Sequence, residues 1–409
     1  MIKIQSPSEI TEIAKRLRVS QESLRTMPEA EIIEFLDQLG KKLISRDYAT
    51  VPGIAFLASW LTKKNLQRLL ENQLGNQALA LDQFLPLSGF QVRAAPAGLA
   101  THWIAGNVPT LGFFSWALSA MCKNANLIRV SSGSVGVFSV LLKIFQDFEQ
   151  HPIVKSTAWV TFPSDRLELN KQLSTVSDLR VVWGGADAVA AVTALPRMDH
   201  ATDVVFGPKY SFCVMDRDAI KNQDKLPTLV RALARDLAAF DQQACSSPHV
   251  VFVEGSFQEV QPLCDLLQVE LKRMADTRPF TQIEEANSAA ILRARTDYGL
   301  SQDKDLKAPA DLQYTILIDQ KPDLPEGLQY RSVFVKAVKS LDEALPWVTP
   351  KIQTIGVAIL DAEKKRRFTE SAALLGVSRL CEIGSMHNFD AYWDSMKVMD
   401  RMVRWATLS

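Results

Sequence analysis

Apolar residues recur along this chain with two different periods. From Glu29 to Ile44 they fall at Ile32, Ile33, Phe35, Leu36, Leu39 and Leu43, the spacing of one helical face. Ala55 to Leu70 continues in the same manner, so residues 1–90 read as a helical N-terminal segment. Pro86 and Gly89-Phe90-Gln91-Val92 mark a change to strand. Short apolar runs then alternate with helical stretches. Leu99 to Ala105 reads as a strand, Thr110 to Cys122 as a helix and Asn126 to Val130 as a strand. Ser131-Ser132-Gly133-Ser134 reads as an exit turn that caps a helix from Val137 to Phe148. Thr157 to Phe162 is a further strand, and a helix carrying Glu168, Lys171 and Gln172 follows it. Arg180 to Trp183 is a strand that ends in Gly184-Gly185-Ala186-Asp187. Strands that alternate with helices imply a parallel, doubly wound sheet.

After about Val205 the alternation restarts. Its strands are Ser211 to Asp216, Val250 to Val253, Tyr314 to Ile318, Ser332 to Val338 and Thr354 to Leu360, with another near Ser378-Arg379-Leu380. A long helix is expected over Leu226 to Phe240, and residues 256–295 read as mainly helical. A chain of 409 residues exceeds what one hydrophobic core supports, so two domains follow.

Composition narrows the class. The apolar fraction is 47%, the charged fraction 22%, and Lys+Arg and Asp+Glu both number 46. That balance is that of a soluble globular protein with no basic excess, which argues against nucleic acid and anionic membranes as partners. Five scattered cysteines without a CxxC pair suggest a reducing compartment, and no four-ligand metal set is spelled out, so no metal is expected. The N-terminal residues lack the apolar run of a signal peptide, and a cytoplasmic location is expected. Between Arg93 and Lys123 no formally charged residue occurs apart from the titratable His102, but Pro96, Gly98, Gly106, Asn107, Pro109 and Gly112 break the stretch, which favours a buried strand–loop–helix over a membrane span.

Four places could carry chemistry. Cys245, in Asp241-Gln242-Gln243-Ala244-Cys245-Ser246-Ser247-Pro248, stands among small polar residues where helix gives way to strand. Such a thiol is either a nucleophile or a packed core residue, and the loop by itself leaves both open. His249 is the nearest candidate for a dyad with it. Asn107 follows an apolar strand, where its amide could donate to an oxyanion. Arg129 with Ser131 and Ser132, and Gly184-Gly185-Ala186-Asp187, both lie where a parallel strand ends, the usual place for a ligand in such sheets.

In order along the chain, these elements resemble the aldehyde dehydrogenase superfamily, and within it the LuxC-type acyl-CoA reductases. The residues carrying the likeness are His102 to Pro109, Asn124 to Ser132, Phe206 to Ser211 and Asp241 to Pro248, with Ala391 to Asp394 and Val403 to Trp405 near the C-terminus. The resemblance implies an aldehyde-dehydrogenase-like α/β fold: a nucleotide-binding domain over 91–205 with 376–409, and a catalytic domain over 206–375. It places the nucleophile on Cys245, the oxyanion amide on Asn107, the ribose-contacting position on Arg129 and the nucleotide-binding turn on Gly184 to Asp187.

Two departures sharpen the expectation. Val205 stands where hydrolytic members have a glutamate, four residues before Lys209, which disfavours water activation and favours thioester chemistry. Arg129 replaces a lysine, and its planar fork suits the 2′-phosphate of NADPH, with NADH as the other nicotinamide to test. A glutamate expected ahead of Leu341-Asp342-Glu343-Ala344 is not recognisable. The implied activity is reduction of an acyl-CoA or acyl-protein thioester to a fatty aldehyde. An acyl-protein synthetase or acyl carrier is the implied partner, and a homo-oligomer the implied state. The alternatives are an NAD(P)-dependent aldehyde dehydrogenase producing free acid, and a catalytically silent subunit that binds an acyl carrier.

Overall fold

A computed structural model describes every residue except Asn107, Pro109, Thr281, Asp390 and Ala391. The chain forms two compact units, Met1–Pro208 with Asp390–Ser409, and Lys209–Phe389.

The first unit is built on β1 (Ile2–Lys3), β2 (Leu85–Leu87), β3 (Phe90–Pro96), β4 (Leu99–Trp103), β5 (Ala125–Val130), β6 (Thr157–Thr161), β7 (Leu179–Trp183) and β8 (Thr202–Phe206). Six of these make a parallel sheet in the order β1-β6-β5-β4-β7-β8. The chain winds outward from β4 in one direction through β5 and β6, then in the other through β7 and β8, so the switch point lies between β4 and β7. Both faces of the sheet are covered, and every residue of β4, β5 and β7 is buried. This is why these strands read as unbroken apolar runs. The Leu111–Met121 helix is also buried along almost its whole length, which accounts for the uncharged stretch between Arg93 and Lys123. No helix among the described residues is long and apolar enough to cross a membrane.

The N-terminal helices Pro7–Arg25, Glu29–Leu43, Ile54–Trp60 and Lys63–Leu74 belong to this unit. Ile10, Ile13 and Leu17 of the first join the cluster that holds Leu127 and Val160 of the sheet. The expected 55–70 helix is two helices, broken after Trp60.

The second unit holds β9 (Tyr210–Met215), β10 (Pro248–Glu254), β11 (Asp305–Lys307), β12 (Thr315–Asp319), β13 (Ser332–Val338), β14 (Ile352–Ala358) and β15 (Arg379–Glu382). They pair as β11-β12-β13-β10-β9-β14-β15, parallel except for β11 at one edge. The sequence grouped residues 376–409 with the nucleotide-binding domain. In the structure β15 pairs with β14 in this second sheet, and the unit runs to Phe389. A four-residue strand after a Gly-ended helix carries too weak a pattern to show which sheet it joins.

The last strand, β16 (Val403–Leu408), does return to the first unit, where it pairs antiparallel with β3 beside β2. Asn124 Nδ2 donates to the Met402 carbonyl at 2.9 Å, and the Met399 N–H donates to Gln73 Oε1 at 3.0 Å, which fix the tail there.

Candidate functional site

In the six-stranded sheet, three sequence motifs emerge together at the carboxyl ends of β4, β5 and β7, around the switch point. Gly106 follows β4 and packs against the turn after β5. A Cβ on it would lie 2.7 Å from Ser131 Oγ, and Ser134 Oγ donates to the Gly106 carbonyl at 3.0 Å. A side chain at this position would push the Ser131 hydroxyl aside. Asn107 itself lies outside the described residues. Ser131 is half-buried and Ser132 exposed in that turn.

Gly184 closes β7 by donating its N–H to the Phe206 carbonyl at 3.2 Å. Gly185 is the N-cap of the Ala186–Thr193 helix without a side-chain cap, and Gly185, Ala186 and Asp187 are exposed. An uncapped, exposed helix N-terminus offers unfilled N–H groups and a positive dipole end to a phosphate.

Arg129 is on β5, between Trp103 and Val160 in register, with 8% of its surface exposed. Its Nη2 donates to the Phe162 carbonyl at 3.2 Å and its guanidinium lies 5.2 Å from the Phe162 ring centre. Nε has no hydrogen-bond partner, and among the described residues no carboxylate pairs with this arginine. Arg180 on β7 is the contrast: it is also buried, but it donates from Nε and Nη2 to Asp203 at 2.7 and 2.6 Å. Burial lowers the pKa of Arg129. An uncompensated buried guanidinium is costly, and an incoming phosphate would relieve that cost.

His102, within the resemblance motif, is structural. Its Nε2–H donates to Asn126 Oδ1 at 3.0 Å, and its Nδ1 accepts from Ser115 Oγ at 2.7 Å. Ser115 Oγ in turn accepts from Trp183 Nε1 at 3.1 Å. Burial pushes its pKa down to about 4, so it is neutral. Val205 lies on β8 and packs against the apolar cluster beneath β4 and β7.

In the seven-stranded sheet, Cys245 lies at the opposite end of its strands, in the connection from the Leu226–Ala238 helix into β10. It is half-buried and not part of a disulfide. The expected helix through Phe240 stops at Ala238. Phe240, Asp241 and Gln242 then take φ of 54°, 52° and 61°. Three consecutive non-glycine residues in the left-handed region cost on the order of 1 kcal/mol each.

A second left-handed run, Gln329, Tyr330 and Arg331, faces it. The Tyr330 N–H donates to the Asp241 carbonyl at 3.1 Å. The fully buried Gln242 amide donates to the Pro248 and Ser332 carbonyls at 2.7 and 2.9 Å, and accepts from the Ser332 N–H at 2.9 Å. These bonds hold a backbone that local preference would not.

Cys245 is the second residue of a turn in which the Ser247 N–H donates to the Ala244 carbonyl at 2.9 Å. The Cys245 carbonyl accepts from Ser211 Oγ at 2.7 Å, and that oxygen accepts from the Thr354 N–H at 3.0 Å. Ser246, 2% exposed, donates to His387 Nδ1 at 2.9 Å, and His387 Nε2–H donates to the Asp236 carbonyl at 2.9 Å. Burial lowers the His387 pKa to about 4 and raises that of the Asp236 carboxyl to about 6.

His249, the sequence candidate for a dyad, packs instead against the Tyr210 ring at 5.1 Å and the Gly327 backbone. Burial lowers its pKa to about 4, and its Nδ1 makes no hydrogen bond. The sequence did not single out Ser211, Gln242, Ser332, Asp236 or His387 for any role at Cys245. Their partners are up to 151 residues away, a relation no local pattern encodes.

The motifs thus fall into two groups. Arg129, Ser131 and Gly184 to Asp187 gather at one sheet's carboxyl edge, and Cys245 is held in the other unit by its own set of contacts. The description Acyl-CoA reductase (LuxC) belongs to the family model that matches residues 13–405. A long-chain acyl-protein thioester reductase of Photorhabdus luminescens is 30% identical over 367 residues, covering 85% of this chain and 72% of that protein. Long-chain acyl-protein thioester reductase 2 of Photobacterium leiognathi is 27% identical over 401 residues, covering 92% and 81%. Among solved structures, the glyceraldehyde-3-phosphate dehydrogenase GapN of Methanocaldococcus jannaschii complexed with NADP superposes with a TM-score of 0.69 at 13% identity, over 99% of this chain and 94% of that one. The fold is that of the aldehyde dehydrogenases, and the chain belongs to the acyl-CoA reductase (LuxC) family.

Proposed function

We propose that this protein reduces a long-chain acyl thioester, carried by a protein or by CoA, to the aldehyde through an acyl-enzyme on Cys245. The observation that carries the reading is the restraint of Cys245. A packed core cysteine needs no special backbone, whereas this one is half-buried in a turn held by strained, long-range contacts. Such expense is characteristic of functional sites.

In the proposed sequence the Cys245 thiolate attacks the thioester carbonyl. A carbon–sulfur bond forms, the carrier's carbon–sulfur bond breaks, and the carrier thiolate leaves and takes up a proton. The likeness to the aldehyde dehydrogenases assigns the charge on the carbonyl oxygen to the Cys245 N–H and the Asn107 amide. A bound NADPH would supply the hydride to the acyl carbonyl carbon, and cleavage of the carbon–sulfur bond to Cys245 would release the aldehyde and return Cys245 as thiolate.

For the cofactor, the unfilled Nε of Arg129 suits a 2′-phosphate, the Gly184–Gly185 helix start suits a pyrophosphate, and Ser131, Ser132 and Asp187 offer groups for ribose hydroxyls. By the resemblance, Val205 takes the position of the base that release of free acid would need, and its side chain packs with apolar residues. The names of the relatives, which specify acyl-protein thioesters, favour a protein-bound donor.

The test is trapping with labelled acyl-CoA and acyl-protein. The parent is expected to label on Cys245 and to form aldehyde with NADPH. Cys245→Ala is expected to lose both by at least about 10³-fold while still binding NADPH. Labelling or aldehyde formation that survives in Cys245→Ala overturns the assignment.

A further inference from the structure

We propose that Ser246 and His387 are positioning residues for acylation of Cys245, acting by locking the peptide between Cys245 and Ser246. This rests on the acyl-enzyme reading above.

The Ala244-to-Ser247 turn has Cys245 and Ser246 at its two central positions. The central peptide is the soft element of a β-turn. Its reversal interconverts the two common turn types and carries the carbonyl of the first central residue to the other face. Neither Cys245 nor Ser246 has a positive φ, so the reversed form, which needs one at Ser246, is not the one adopted. A serine tolerates that conformation at modest cost, so the turn by itself would not prevent reversal.

Two contacts do. The carbonyl that would move, that of Cys245, accepts from Ser211 Oγ at 2.7 Å. In the reversed form that carbonyl approaches the Ser246 Cβ, and the Ser246 side chain, tied to His387 Nδ1 at 2.9 Å, is held against moving aside. His387 is itself fixed on three sides. Its Nε2–H donates to the Asp236 carbonyl at 2.9 Å, its ring meets Phe240 edge-on at 5.4 Å, and its loop is pinned where the Gly384 N–H donates to the Asp236 carboxylate at 2.5 Å. The tautomer follows. With Nε2 donating to a carbonyl, Nδ1 can only accept, so the Ser246 hydroxyl must donate.

The pair does not contact the acyl group in this reading. It fixes the direction of the Cys245 carbonyl and, through the Cys245 backbone, the path of its side chain. A displacement of about 1 Å at a reacting atom can cost about 100-fold.

The experiment is a double-mutant cycle on single-turnover acylation by labelled long-chain acyl-CoA, with thermal unfolding and NADPH binding measured in parallel. Ser246→Ala and His387→Leu should each slow acylation by roughly 10- to 100-fold, and the double variant by no more than the larger single effect. His387→Asn, which keeps an acceptor near the Nδ1 position, should recover a substantial part of the rate lost in His387→Leu. NADPH affinity should be unchanged in all of them.

Ser246→Ala removes one oxygen and leaves the packing intact, so it remains informative if His387→Leu folds poorly. Parent-like acylation in Ser246→Ala overturns the proposal, as do multiplicative effects in the double variant or rates that merely follow the loss of thermal stability. A parent protein that does not label on Cys245 at all removes the acyl-enzyme reading, and this inference with it. A parent that labels while Ser246→Ala labels equally fast removes only the inference.

Discussion

The carboxyl-edge turns of the six-stranded sheet and the cysteine loop of the seven-stranded sheet solve opposite problems. The first must leave backbone groups open, so it uses glycines, small residues and an uncapped helix start, with exposed Gly185, Ala186 and Asp187. The second must hold one side chain in a fixed direction, so it ties down the backbone around it on several sides. Six left-handed residues in two facing runs, the Gln242 amide, Ser211 and His387 all converge on it. Binding a phosphate requires vacancy, and presenting a nucleophile requires restraint. The two demands place the motifs at opposite ends of their strands: after β4, β5 and β7 in one sheet, and before β10 in the other.

The contrast can be broken most sharply at Gln242. Gln242→Leu removes three buried hydrogen bonds and takes a donor from the Pro248 and Ser332 carbonyls. A loss of about 2–4 kcal/mol in unfolding free energy is expected from urea titration. Ser132→Ala in the open turn should stay within about 0.5 kcal/mol. Equal effects at the two positions would remove the distinction between restraint and vacancy.

Acid provides the second probe. The folded-state pKa of His387 is lowered from 6.5 to about 4, so between those values the unfolded chain takes up a proton that the native state refuses. Stability from this group is complete above the unfolded value and is lost as pH falls toward 4, by about 3 kcal/mol. The groups with raised pKa, Glu29 to about 7 and Asp236 to about 6, act in the opposite direction. They are common to parent and His387→Asn, so the comparison largely cancels them. The stability advantage of the parent over His387→Asn, measured by denaturant titration at pH 7, 5.5 and 4.5, should shrink steadily. A constant advantage would mean that His387 takes up its proton as readily in the native protein as in the unfolded chain.

In the open region, Arg129→Leu should weaken NADPH binding by about 10- to 100-fold, the loss of one or two charge-assisted bonds, and leave NADH binding nearly unchanged. Fluorescence titration with both nucleotides decides it, since an equal loss for both would assign Arg129 a structural role. The smallest effect is expected at Gly185. A Cβ there meets nothing within 4 Å and its φ is −68°, so Gly185→Ala should not lower stability. It should still weaken NADPH binding by several-fold if a phosphate approaches that backbone. Unchanged affinity would move the phosphate elsewhere.

The parts legible in the sequence were those governed by short-range rules. Runs such as Asn126 to Val130 and Ser332 to Val338 announce strands buried on both faces, and Gly184-Gly185 announces a tight exit turn. Strands at sheet edges were harder. β8 and β16 escaped because their residues are partly or largely exposed and lack a continuous apolar run, and β15 was assigned to the wrong sheet. The helix expected through Phe240 also failed, because its last residues have ordinary helical propensity and only contacts with residues 329–332 turn them left-handed.

By itself, the sequence determined the two doubly wound sheets, the place of Cys245 between helix and strand, and the glycine and arginine positions at the strand ends. These depend on periodicity and on residue type within a few positions. Tertiary structure decided that, among the described residues, Arg129 has no carboxylate partner such as Arg180 has, that His249 packs away against Tyr210, and that His387 is the histidine next to the cysteine turn. Those facts depend on which buried group meets which across 141 residues of chain or between neighbouring strands. Burial then sets the energetic weight of each such contact, through the cost of leaving a polar group unpaired.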